Sequence, residues 1–102
     1  MTVVRISLGR FDAESFETIR HLLEESQSTL VPAIRRLSGC LAYHAGIDRE
    51  NGAMTNVSVW ETLEDAMQMA SMKEMQDLAA VFVGAGVRFE RPITNHEALW
   101  SL

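Results

Sequence analysis

The stretch CLAYHAGIDRENGAMTNVSVWET, residues 40–62, decides how the chain folds. Cys40 to Ile47 and Ala53 to Glu61 alternate in the manner of strands. Between them lies Asp48-Arg49-Glu50-Asn51-Gly52, and an Asn-Gly pair flanked by two such runs signals a hairpin, because both residues tolerate the positive φ of a tight reversal. Thr62 and Asp65 have the spacing of a capping box. The second strand therefore leads directly into a helix.

Upstream, Thr2 to Leu8 alternates and is rich in β-branched residues (Val3, Val4, Ile6), which reads as a first strand ended by Gly9. Asp12 is placed to cap the helix that follows, with Phe11 and Phe16 as a hydrophobic staple, and Phe16, Ile19, Leu22 and Leu23 mark its apolar face. Pro32 lacks an N–H and biases Val31 away from helical geometry, so the helix is expected to break near Leu30 and resume as a short piece from Pro32 to Leu37. Downstream, Ser71 and Glu74 repeat the capping signal. Leu63, Ala66, Met67 and Ala70, then Met75, Leu78, Ala79 and Phe82, give two consecutive helices closed by Gly84 and Gly86. Val87 to Leu99 reads as a last strand interrupted at Pro92.

The order is βαββαβ, an α+β ferredoxin-like sandwich in a single domain, residues 1–102. Right-handed connections put both crossover helices on one face of the sheet. Met54, Asn56, Ser58 and Trp60 point to one side of their strand, and Ala53, Thr55, Val57 and Val59 to the other, so both faces carry apolar groups. The uncovered face needs a partner, and a second copy of the chain is the simplest one. A homodimer forming a dimeric α/β barrel is the expected assembly.

Composition narrows the function. The chain has 102 residues, 47% of them hydrophobic, and a net charge of −5 from 14 acidic and 9 basic residues, a balance unsuited to nucleic acid. No apolar run approaches the ~20 residues of a membrane helix, and the amino terminus has no signal-peptide core, so a cytoplasmic location and no membrane contact are expected. The single cysteine, Cys40, excludes an intrachain disulfide and a cysteine-cluster metal site. No metal is expected.

Asn56, Ser58 and Trp60 place an amide, a hydroxyl and an indole along one track facing the helices. With Met67, Met75 and Phe82 they would line a cleft for a small hydrophobic or aromatic ligand; as core residues they would simply pack. Tyr43 and His44 alternate, so only one of them faces that cleft. His44 is the better general base, because its ordinary pKa of about 6.5 suits proton transfer near neutrality. It shares the side of Asn56 if even-numbered residues of both hairpin strands face the same way.

Gly39-Cys40-Leu41-Ala42-Tyr43-His44, followed by Asn56-Val57-Ser58-Val59-Trp60-Glu61-Thr62, resembles the antibiotic biosynthesis monooxygenase family of dimeric α/β barrels, whose hairpin likewise runs from a Gly-Cys-Leu strand to a Trp-Glu-Thr helix start. The resemblance implies a cofactor-independent oxygenase of an aromatic or phenolic substrate. Asn56 and Trp60 match residues that quinone-forming members use to bind the substrate's oxygens and stabilise an enolate-like anion. Those members also draw a tyrosine and an arginine from the helix after the tryptophan, and residues 62–86 here contain neither. Haem-degrading members carry a histidine on that helix, and here none is present. Two other readings stay open: a non-catalytic ligand-binding or regulatory dimer, and a non-oxidative enzyme such as an isomerase using His44.

Overall fold

The computed structural model describes residues 1–102. Asp48 closes the central hairpin: its carboxylate accepts from the Asn51 backbone N–H at 3.1 Å and from the Asn51 side-chain amide at 2.8 Å. Gly52 completes the reversal at φ +61°, in the left-handed region glycine occupies without steric penalty. Strand β2 therefore extends over Cys40–Asp48 and pairs Asp48 with Ala53 at the start of β3, Ala53–Trp60, leaving a loop of four residues.

The other elements are β1 (Val3–Arg10), α1 (Phe16–Arg35), α2 (Leu63–Met67), α3 (Lys73–Gly84), β4 (Arg88–Phe89) and β5 (Thr94–Glu97), with 3-10 turns at Ala13–Ser15 and Gln68–Ser71. The sheet is antiparallel throughout in the order β2-β3-β1-β4. Strand β5 pairs with the other end of the same edge of β1, so β4 and β5 act as one strand interrupted around Pro92, where the Arg91–Pro92 bond is cis. This is the expected α+β ferredoxin-like arrangement. No helix is long and apolar enough to cross a membrane.

Three expectations about the helices need correction. Helix α1 passes through Pro32 without breaking. Its apolar stripe continues on both sides of the proline, with Leu30, Ala33 and Ile34 all buried beside Trp60. Burying the leucine and isoleucine contributes about 1.5–3 kcal/mol each, enough to offset the roughly 3 kcal/mol cost of an interior proline. Pro32 and Ser28, whose carbonyl loses its usual donor, are both exposed. The capping signals also differ in outcome. Thr62 Oγ1 accepts from the Asp65 N–H at 3.0 Å, whereas the residue capping α3 is Met72 and Ser71 donates instead to the Gln68 carbonyl. Asp12 likewise caps only through its backbone, its carbonyl accepting from the Ser15 N–H at 2.9 Å.

The helices meet the sheet in two cores. Val3, Leu30, Ile34, Trp60, Met69 and Met72 belong to one, and Phe11, Phe16, Ile19, Met54, Phe82 and Val87 form the other. Phe11 and Phe16 lie 6.5 Å apart between ring centroids, as a staple requires. Along β3 the first core is reached at Trp60 and the second at Met54, and the inward positions between them are Ser58 and Asn56.

The split between the two capping signals is measurable in urea unfolding. Thr62→Ala is expected to cost about 1 kcal/mol, the usual worth of an N-cap side chain, while Ser71→Ala should stay within about 0.5 kcal/mol of the parent, as exposed substitutions do.

Candidate functional site

Cross-strand pairing aligns side chains into rows. Tyr43 pairs with Ser58, Ser58 with Arg5, and Arg5 with Asn95, so a polar row crosses the sheet on its helix-covered face. The next row joins Ala45, Asn56 and Ser7. Tyr43, Ser58, Arg5, Asn56 and Ser7 of these two rows form the floor of a cleft of about 260 Å3, with Met69, Met75 and Ala79 above it and Arg91 and Ile93 at the side. Asn56, Met75 and Arg91 also border a smaller space of about 60 Å3 that continues inward against Leu78, Phe82 and Phe89. One end of the cleft is polar and cationic, and the other is apolar.

Tyr43, not His44, stands on the Asn56 side. Even-numbered residues of both strands share a side only when the hairpin loop has an odd number of residues, and Asp48 shortens this loop to four. His44 pairs with Val57, is exposed, and lies on the second face of the sheet. A shift of register between Cys40 and Ala42, at the exposed Leu41, brings Cys40 back opposite Trp60.

Trp60 is also separated from the cleft. It is 0% exposed in the first core, and its Nε1–H donates to Ser58 Oγ at 2.8 Å. Its one polar group is therefore spent inside the protein. Met67, exposed on α2, approaches Arg5 Nη1 with its sulfur at 3.9 Å from outside the cleft wall. Of the residues singled out from sequence, Asn56, Ser58, Tyr43 and Met75 come together on the cleft, and Phe82 closes its inner end. No cluster of three His, Cys, Asp or Glu side chains is close enough to hold a metal ion.

Arg5 and Tyr43 dominate the electrostatics. Arg5 is 8% exposed, donates from Nη1 to Asn95 Oδ1 at 3.1 Å, and has no carboxylate partner. Burial first, and then the charge of Arg91, hold its pKa below the ordinary value, with Tyr43 acting in the opposite sense. The Tyr43 hydroxyl is buried without a hydrogen-bond partner. Burial, reinforced by Cys40 and opposed by Arg5, pushes its pKa from 10.0 up to about 12. Tyr43 therefore stays a protonated donor, and is no base.

No known family model matches the sequence, and no curated protein is similar to it. Solved structures are. Protein Rv0793 from Mycobacterium tuberculosis superposes with a TM-score of 0.70 at 16% identity, over 99% of this chain and 98% of that one. An antibiotic biosynthesis monooxygenase gives 0.70 at 18% identity, over 97% and 99%. SnoaB, a cofactor-independent oxygenase from Streptomyces nogalater, gives 0.66 at 13% identity, over 99% and 96%. The fold is that of the antibiotic biosynthesis monooxygenases.

Residues 62–86 hold no tyrosine and no arginine, and the arginine and tyrosine on the cleft floor, Arg5 and Tyr43, stand on the sheet. Arg5 and Ser7 were missed, although Val3, Arg5, Ser7 and Gly9 fall on one side of β1 by simple alternation. Only the pairing of β1 with β3 puts that side beside Ser58. Arg91 was missed because it lies in the interruption between β4 and β5.

The unequal satisfaction of two neighbouring hydroxyls gives opposite expectations in unfolding experiments. Ser58→Ala strands the buried indole N–H and should cost about 1–3 kcal/mol, whereas Tyr43→Phe removes a hydroxyl that has no partner and should leave stability unchanged or raised. Tyr43 is the only tyrosine, so absorbance titration reads it alone, and its midpoint should lie near 12 instead of 10.0. The fold favours the neutral phenol. That contribution to stability is complete below pH 10 and fades as pH rises from 10 to about 12.

Proposed function

We propose that the protein is a cofactor-independent monooxygenase of a phenolic or polycyclic aromatic small molecule, acting in the cleft between the sheet and α3. The observation that carries this reading is the pair of polar rows holding Tyr43, Ser58, Arg5 and Asn56 beneath α3, continuous with an apolar inner space. Similarity of fold to SnoaB, described as a cofactor-independent oxygenase, supports it.

The reaction balances without an external reductant. A phenol takes up one O2; one oxygen atom becomes a second ring carbonyl in place of a ring hydrogen, and the other leaves as water, so phenol and O2 give quinone and water. The substrate anion supplies the electrons. Arg5 favours ionisation of a phenol in the cleft through its charge, and the Asn56 amide donates to an oxygen on which negative charge develops. No His, Asp or Glu borders the cleft, so the phenolic proton passes to water. With His44 on the other face of the sheet, the isomerase reading has no base at the site. The same lack of a base favours, as a second reading, a protein that binds its ligand without turnover.

Oxygen uptake by purified protein, with naphthols as substrates and no flavin or metal added, tests the reaction. Uptake should rise with pH as the substrate ionises, and Asn56→Ala should lower its rate by about 10²-fold, the usual worth of an oxyanion donor. Binding of naphthols without oxygen uptake would leave the ligand-binding reading.

A homodimer belongs to the same proposal. Val4, Ile6, Leu8, Val57 and Val59 line the sheet face that no helix covers, and packing it against a second copy would remove that apolar surface from water. Light scattering at micromolar concentration should give the dimer mass. Val57→Glu should shift it toward monomer or aggregate, because a charge would be trapped in the interface.

A further inference from the structure

The chain spends its basic residues consistently. Arg10, Arg20, Arg36, Arg49, Lys73 and Arg88 each lie within 3.5 Å of a carboxylate. Three arginines do not: Arg35, exposed at the end of α1, and Arg5 and Arg91, which both border the cleft. Counter-ions are abundant in a chain of 14 acidic residues, yet neither the cleft nor its inner extension is lined by an aspartate or glutamate. A guanidinium has five N–H donors. Arg5, 8% exposed, hydrogen-bonds only through Nη1, to Asn95 and the Met67 sulfur. A buried cation that has lost its water and found no anion is costly unless something else supplies the charge.

We infer that the substrate is an aromatic carboxylate: its carboxylate is held between Arg5 and Arg91, its ring lies over Asn56, and its apolar part fills the space against Phe82 and Phe89. The inference rests on the choice of this cleft in the proposed function, but not on the oxygen chemistry. An arginine fork matches a carboxylate's two oxygens, and two cations bordering one cleft select a formal negative charge over a neutral phenol. Met75 and Ala79 on one side, and the sheet on the other, leave a slot whose volume of about 260 Å3 suits one or two fused rings.

Calorimetric titration at neutral pH with 2-naphthoate, 2-naphthol and 2-naphthylmethylamine tests this. Naphthoate should bind at least about 10-fold tighter than naphthol, a difference of about 1.4 kcal/mol, and the amine should not bind. Arg5→Met and the more exposed Arg91→Met should each weaken naphthoate by about 10-fold or more, Arg91→Met should change naphthol by less than about two-fold, and Arg35→Met should change neither. Equal affinity for naphthoate and naphthol, undiminished naphthoate binding in Arg91→Met, or no binding of any probe would overturn the inference. Oxygen uptake on naphthols by a protein that does not bind naphthoate would sink it and leave the oxygenase reading intact. Naphthoate binding that needs both arginines, without oxygen uptake on any phenol, would do the reverse.

Discussion

The pairing of Asp48 with Ala53 governs what the helix-covered side of this sheet contains. In an antiparallel pair a one-residue slip turns every side chain of one strand to the opposite face. Here the Asp48 carboxylate, by holding Asn51, removes one residue from the loop. Tyr43 and Ile47 therefore turn inward, the first beside Ser58 and the second beside Met54. With the alternative pairing, an exposed histidine would have stood in the cleft and a tyrosine on the open face. A turn at the end of the sheet thus selects whether the cleft receives a phenol or an imidazole.

The two cores explain why a cleft exists at all. Trp60 and Met54 are large, fully inward and packed by different helical segments, so the helices are anchored at both ends of β3. Between these anchors the sheet presents Ser58, Asn56, Arg5 and Ser7, side chains that cannot fill the space as leucines would. Polar inward positions lower stability compared with apolar ones of the same volume. Where local choices depart from good packing in an otherwise consistent fold, a functional requirement is the physical reason to look for. Ser58 serves both purposes, since it satisfies the Trp60 indole and borders the cleft.

What the sequence disclosed and what it hid follow from the range of the interactions involved. The hairpin, the Thr62 cap, the element order and the two faces of β3 depend on residues within a few positions of each other, and all were legible. The inward orientation of Tyr43 depended on one residue of loop length. The sheltering of Arg5 depended on the pairing of residues 5 and 58, which no local pattern encodes. Pro32 was misread because its local cost is visible in sequence, while the compensating contacts of Leu30 and Ile34 with the Trp60 core are made across the fold. Trp60 itself was read as a ligand contact since its side of the strand was correct, but side alone does not say how deeply a residue is packed.

Trp60 and Trp100 occupy opposite environments, the first 0% and the second 84% exposed. The chain therefore carries two intrinsic light sources, one sealed in a dry core and one bathed in solvent beyond the last strand. Emission from Trp100 is nearly the same whether the chain is folded or not, so it serves as an internal baseline, and the spectral change on unfolding belongs to Trp60. The Trp60 indole is tied by one hydrogen bond to Ser58 and shares its core with Met69, which also borders the cleft, so events in the cleft have a short route to the buried emitter.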